Sequence, residues 1–269
     1  MSSPIRNTKH FAPVVPLSIA ACLRENNLLG NYHLLLAHDV LANPDAYKEI
    51  YRPYTDGRPM DIIMDNSLIE LGYPMEVLHV LEAAKVVGAK KVVLPDELGE
   101  LDKTLRAVWD SVDVWHKLPM EVTKGIKPVA VVQGKNLSEC LTCIREYAKS
   151  GIEDISIPRV LQKYLGSRSE ITMIAHLHYG FQNIHLLGFS DNILDDVACT
   201  RQPGVKGIDS AVPIRAAYKT LPISMDDPHF DRLVGPRGTY WDVTPKDLSA
   251  VQISMIMHNI RTFQGWINQ

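Results

Sequence analysis

Short apolar runs alternate with amphipathic stretches along most of this 269-residue chain. Strand-like runs rich in Val, Ile and Leu fall at residues 14–19, 33–37, 61–65, 91–94, 127–132, 154–157, 184–187 and 205–209. Helical periodicity fills most of the gaps. One helix is predicted over 74–87, with Pro74 in its first turn and Gly88 just past its end. Others are predicted over 102–117, over 137–149 (capped by Asn136 or Ser138 and followed by Gly151), over 169–179, 192–200 and 214–220. The first two units are weaker, since 23–31 is short for a crossover helix and 52–59 reads as an irregular loop.

Eight strands mostly separated by helices predict an α/β fold, a (β/α)8 TIM-type barrel over residues 1–221. An open doubly wound sheet is the alternative, but it leaves polar residues at so many strand ends unexplained. From Pro222 the texture changes to a loop punctuated by Pro, Gly and Asp, followed by an amphipathic helix over 248–266. Residues 222–269 are therefore expected to be a C-terminal loop-plus-helix appendage on the same domain.

Bulk composition narrows the function classes. With 46% hydrophobic and 22% charged residues the chain reads as an ordinary globular protein. A formal charge of -3 gives no global basic field, which counts against a nucleic-acid partner unless a local patch exists. Arg159, Arg201, Lys206, Arg232 and Arg237 are the candidates for such a patch. No apolar run reaches the ~20 residues of a membrane span, and MSSPIRNTKH has no signal-peptide core, so a cytoplasmic protein is expected. Of the four cysteines, Cys140 and Cys143 form one CxxC inside a predicted helix and read as a buried face. No second pair completes a zinc set, and neither a metal nor a cofactor is expected.

In a barrel the C-terminal strand ends converge on one face, where chemistry is usually done. They carry His38 and Asp39, Asp65 and Asn66, Asp96, Gln133 and Gly134, Arg159, Gly188, and Asp209. Any one of these acids also reads as a helix cap, Asp209 included. Two facing carboxylates suit substitution at an acetal-like carbon, one attacking and the other protonating the leaving group. A carboxylate beside a Gln amide suits the edge of a nucleobase. His38 is expected at the rim, His176 and His178 on a helix surface, Arg215 in a structural role, and Asp191, Asp195 and Asp196 as helix N-terminal charges.

Five of these segments, in order, resemble the queuine/archaeosine tRNA-guanine transglycosylases, and most closely their shortened phage relatives that insert 7-deazaguanines into DNA. Asp65-Asn66-Ser67-Leu68-Ile69-Glu70 stands at the family's Asp-Ser-Gly-Gly-aromatic-Gln segment. LPDEL brings Asp96 to its guanine-reading Asp, VVQGKN brings Gln133-Gly134 to its Val-Gln-Gly element, and HLLGFS brings Gly188 to its Leu-Gly element. Asp209, Pro213 and Arg215 reproduce the nucleophile spacing. Departures are an aliphatic Ile69 for the stacking aromatic, Glu70 for Gln, and no cysteine after Cys199 to build the family's zinc insertion. The missing zinc subdomain favours the DNA branch over tRNA.

The resemblance implies a pentosyltransferase in which Asp209 is the nucleophile and Asp65 the general acid and base. It further implies that Asn66, Asp96, Gln133, Gly134 and Gly188 bind the base, with DNA and a free 7-deazaguanine such as 7-cyano-7-deazaguanine as partners. A tRNA substrate, a retaining glycoside hydrolase and a non-catalytic base-binding subunit are the competing readings. The four Trp, on predicted helices or in the tail, speak against the sugar platform that a hydrolase needs.

Overall fold

Each predicted alternation of apolar strand and amphipathic helix becomes one turn of a parallel barrel in a computed structural model, which describes residues 8–54, 57, 59–190, 192–227 and 240–269. The strands are β1 (His10–Pro13), β2 (Tyr32–Leu36), β3 (Asp61–Asp65), β4 (Lys91–Val93), β5 (Lys127–Val131), β6 (Asp154–Pro158), β7 (Asn183–Leu187) and β8 (Val205–Ser210). All neighbours pair in parallel, in the order β1-β8-β7-β6-β5-β4-β3-β2. The chain is thus an α/β protein with a nearly closed (β/α)8 barrel.

The helices are α1 (Leu17–Glu25), α2 (Ala37–Ala42), α3 (Pro44–Ile50), α4 (Leu68–Leu71), α5 (Val77–Val87), α6 (Leu101–Lys117), α7 (Met120–Thr123) and α8 (Leu137–Lys149). They continue with α9 (Val160–Leu165), α10 (Ser169–Tyr179), α11 (Ile193–Thr200), α12 (Val212–Tyr218) and α13 (Ala250–Ile267). On α8 the Asn136 side chain caps the Glu139 N–H at 3.0 Å, and Cys140 and Cys143 are buried beneath it. Residues 55, 56 and 58 of the expected 52–59 loop, and much of the tail loop, lie outside the described residues.

The first unit departs from expectation. The strand expected at 14–19 lies upstream, at His10–Pro13, and the expected helix over 23–31 begins at Leu17. Pro16 sets the boundary: it fixes φ and brings no N–H, so it ends pairing and is readily followed by a helix. Ile19, Ala20 and Leu23 then fall on one buried face with helical spacing. A short helix, α2, also begins directly after β2, so His38 and Asp39 are helical and not the end of a strand.

No ladder joins β1 to β2, and the seam between them has its own chemistry. Lys9 N–H donates to Asn268 Oδ1 at 2.9 Å, Phe11 N–H donates to Gln264 Oε1 at 3.0 Å, and Pro13 has no N–H to satisfy. Both amides also return a hydrogen bond, Gln264 Nε2 and Asn268 Nδ2 donating to the Lys9 carbonyl. A primary amide offers the donor and acceptor of a peptide group, so α13 serves the exposed edge of β1 as a neighbouring strand would. Asn259 on the same helix donates to the carbonyls of Pro213 and Leu221, and Phe263 packs on Phe11 and Phe189. The C-terminal helix is thereby built into the wall of the barrel.

Candidate functional site

A cavity of about 860 Å³ opens at the C-terminal ends of the strands. Leu34, Leu36, Val93, Val131 and Leu187 form its apolar floor, and Asp65, Asn66, Asp96, Gln133, Gly188 and Asp209 stand on its wall. Six of the seven residues expected at the site therefore line one cavity.

Asp65 ends β3 and organises the turn behind it. Its Oδ2 accepts the Ser67 N–H at 2.8 Å, and Ser67 takes the left-handed conformation at φ 62°. Asp65 is thus a turn former as well as a cavity wall. Burial of its carboxyl, reinforced by the neighbouring Glu70 carboxylate, holds Asp65 well above the usual carboxylate range. The Ser67 N–H pulls the other way, while the charges of Asp96 and Asp209 add to the rise. Asp65 is therefore biased towards its protonated, donor form.

Asn66, Asp96 and Gln133 form one buried cluster. Asn66 Nδ2 donates to Asp96 Oδ1 at 2.8 Å, and Gln133 Nε2 donates to Asp96 Oδ2 at 2.7 Å. Asn66 Nδ2 also reaches the Leu94 carbonyl, while Gln133 Oε1 accepts the Gly99 N–H. The amides are oriented by backbone, and they in turn fix the plane of the carboxylate. Burial pushes Asp96 up to about 6 despite these two donors. Gly134, expected among the base-binding groups, is not on the cavity wall. A Cβ there would lie 2.8 Å from Glu139 Cβ and 2.9 Å from Cys140 N, so Gly134 is required for β5 to approach the start of α8.

Asp209 near the end of β8 is 6% exposed, so little but its face to the cavity meets solvent. Its Oδ1 accepts two hydrogen bonds, from Gly188 N–H at 3.0 Å and from His185 Nε2 at 3.0 Å. Gly188, expected to offer its backbone to a ligand, spends its N–H on the acid, and its φ of 70° suits glycine. The loop that carries Gly188 is braced from behind by a buried ion pair. Arg168 donates to Asp196 Oδ1 at 2.6 Å and to the carbonyls of Ile157 and Leu187, and Asp196 accepts the Ser190 N–H. Asp195 and Asp196 lie in the first turn of α11, as expected, and Asp196 is in addition the buried anchor of this loop. Its neighbour Asp195 accepts the Ser167 hydroxyl, and Asp191 lies outside the described residues.

The lining also carries cationic and amide side chains, Arg159, Gln162, Lys163, Asn192 and Arg215. Arg215, expected to be structural, thus also faces the cavity. Gln162 and Lys163, on the unpredicted short helix α9, and Asn192, at the start of a predicted helix, carried no signal in the sequence beyond being polar. Other expected basic contacts are elsewhere. Arg201 binds the Trp266 carbonyl, and Lys206 is the second residue of β8, at the end of the strand remote from Asp209. Arg232 and Arg237 lie outside the described residues. His38 pairs with its neighbour Asp39 at 3.5 Å and is not on the wall; His176 binds the Phe181 carbonyl at the end of α10. None of Trp109, Trp115, Trp241 and Trp266 lines the cavity.

Among the described residues no three His, Cys, Asp or Glu side chains are grouped as metal ligands, and no helix is long and apolar enough to cross a membrane. Neither a protein-family model nor a curated protein matches the chain.

Proposed function

We propose that this protein is a base-exchange transferase that replaces guanine in DNA with a 7-deazaguanine, such as 7-cyano-7-deazaguanine, through a glycosyl ester on Asp209. Its place of action would be the cytoplasm, that of the host if the chain is phage-encoded. The observation that carries this reading is a pair of carboxyl groups on one cavity, prepared for different tasks. Asp65 is biased to hold a proton, while Asp209 is steadied by two donors on a single oxygen. A protonated acid suits a departing base and an oriented carboxylate suits attack on a sugar carbon.

In the first half-reaction an Asp209 oxygen bonds to C1′ as the C1′–N9 bond breaks. The electron pair leaves with guanine, which takes the proton of Asp65. In the second, the Asp65 carboxylate takes the N9 proton of the incoming base while N9 displaces Asp209 from C1′. A 7-deaza base has no N7 to protonate and leaves poorly, which gives the exchange its direction.

Base recognition falls to the buried cluster. Each Asp96 oxygen keeps a lone pair beyond the one given to Asn66 or Gln133, so the carboxylate can accept from N1–H and from the 2-amino group. The second N–H of the Gln133 amide suits O6. Leu68 and the exposed Ile69 supply an aliphatic wall where related enzymes stack an aromatic. A duplex guanine would have to be extruded, at a cost of a few kcal/mol, and Arg159, Lys163 and Arg215 suit the flanking phosphates.

The test is incubation with labelled guanine-containing DNA and candidate 7-deazaguanines, with nucleoside analysis by mass spectrometry. Asp209→Ala is expected to abolish both exchange and any covalent protein–DNA adduct on a denaturing gel. Exchange in tRNA but not in DNA would reassign the substrate, and an active Asp209→Ala variant would overturn the mechanism.

A further inference from the structure

Beneath Asp209 the barrel interior is not apolar. His185, in the middle of β7 and 3% exposed, places Nε2 at 3.0 Å from Asp209 Oδ1 and Nδ1 at 2.7 Å from the hydroxyl of Tyr32 on β2. Tyr32 is also 3% exposed, and its ring stacks on His10 with centroids 5.1 Å apart. Gly207 makes room for it, because a Cβ there would lie 2.7 Å from Tyr32 Cε1 and 2.5 Å from the His10 carbonyl. A line of three hydrogen-bonded side chains thus crosses the barrel from β2 to β8, through a region that branched apolar residues usually fill. Polar groups in such a place are costly unless each is satisfied, and here the atoms match one another in sequence.

We infer that His185 is a positioning residue for Asp209, and that Tyr32 fixes the tautomer of His185 which makes this possible. The inference rests on the base-exchange reading for its chemical consequence, but its geometry stands independently. A carboxylate oxygen only accepts, so the contact with Oδ1 requires the ring proton on Nε2. A ring with its single proton on Nε2 has a bare Nδ1, to which the Tyr32 hydroxyl donates. Burial holds the Tyr32 phenol well above its ordinary range, so it remains a donor.

The consequence is a choice of oxygen. Gly188 N–H and His185 Nε2–H both end on Oδ1, and among the described residues no hydrogen bond is made to Oδ2. The attacking atom is therefore Oδ2. The C1′–Oδ2 bond forms as C1′–N9 breaks, and Oδ1 becomes the ester carbonyl with both donors still in place. When N9 of the incoming base displaces Oδ2, the carboxylate returns to the same orientation.

Two measurements on the full chain test this. The first is ¹⁵N NMR of the imidazole in the resting protein, its signal identified as the one lost in His185→Gln. Wild type is expected to show only the Nε2–H tautomer, and Tyr32→Phe a mixture of both. The second is the rate of covalent adduct formation with a guanine-containing DNA oligonucleotide. His185→Leu is expected to slow it about 10- to 100-fold, the size of one hydrogen bond to a charged group, with the half-saturating DNA concentration unchanged. His185→Gln, whose amide N–H reaches the same oxygen, is expected to restore the rate to within several-fold of wild type. A wild-type Nδ1–H tautomer, a Gln variant no faster than Leu, or a loss confined to the half-saturating concentration would each overturn the inference. The first of these does not depend on whether His185→Leu folds, and the Gln variant is also compared directly with wild type. If wild type forms no adduct with DNA or tRNA, the base-exchange reading fails, while the tautomer of wild type and its mixing in Tyr32→Phe still decide whether this line of side chains holds the His185 proton towards Asp209.

Discussion

Asp96 is engaged on both oxygens before any ligand arrives, and that makes its substitution more informative than a simple loss of charge. Asp96→Ala removes the acceptor for two base donors and also strands the Asn66 and Gln133 amides. At about 1–3 kcal/mol per unpaired group, guanine-like bases should bind tens- to thousands-fold more weakly, all together and irrespective of the 7-substituent. Asp96→Asn should be nearly as poor, because one end of its amide would face a donor already in place. Isothermal titration with guanine and two 7-substituted 7-deazaguanines checks both, and a variant that lost only one of these bases would mean that Asp96 reads the substituent. The same group predicts a pH limb. With a pKa of about 6 the accepting form is populated above that pH, so base affinity should fall about tenfold per unit below it. In the ligand-free protein the unfolded carboxyl ionises near 3.8 and the folded one near 6, so stability should decrease as pH rises through that window. Asp65, Asp96, Gln133 and Asp209 were legible in the sequence because each stands at or near the end of an apolar run, where a polar residue needs a reason. His185 and Arg168 were not. One is an alternate residue of a short strand and the other precedes a helix, and only the three-dimensional partners Asp209 and Asp196 give them meaning.

At the scale of elements, the loop after β7 and the seam beside β1 are each held by polar side chains. Arg168→Met would leave Asp196 as a buried acid without its counter-ion, a change that costs about 3–5 kcal/mol in comparable sites. Arg168→Met with Asp196→Leu should recover only part of that, because Ser190 N–H would lose its acceptor. Chemical denaturation of the two variants measures the difference, and equal stability of single and double variants would remove Asp196 from this role. At the seam, Gln264→Leu should leave the Phe11 N–H unpaired at about 1–3 kcal/mol, visible as a lowered Tm and faster amide exchange at Phe11, while the Lys9 carbonyl keeps the Asn268 amide. Unchanged exchange at Phe11 would show that the amide is dispensable there. The amphipathic face of α13 was readable from spacing, and β3 through β8 were readable from their apolar runs. The position of β1 was not, because VVPLSIAACL is apolar enough for either structure and only the Pro16 boundary decides between them. Nor does helical spacing disclose that two amides on α13 take the place of a strand.

Across the whole molecule, an acidic total coexists with a group of cations around the cavity. Asp65, Glu70, Asp96 and Asp209 share the cavity lining with Arg159, Lys163 and Arg215. DNA affinity should therefore weaken with salt, and Arg159→Ala should reduce the slope of log K against log salt by roughly one unit. Lys206→Ala, at the far end of β8, should leave the slope unchanged. Filter binding over a salt series separates them, and a salt-independent affinity would favour a small-molecule substrate. The bulk sum of -3 conceals this arrangement, since net charge carries no information about which residues share a face. The seam has a further consequence for how the molecule is made. Asn268 and Lys9 are 259 positions apart, so a ribosome must finish residues 264 and 268 before the edge of β1 is covered. Throughout synthesis that edge is a strand template facing other nascent chains, and its closure is among the longest-range contacts that the fold demands. Shielding during translation, by a chaperone or by slow release, is then expected to raise the yield of this barrel.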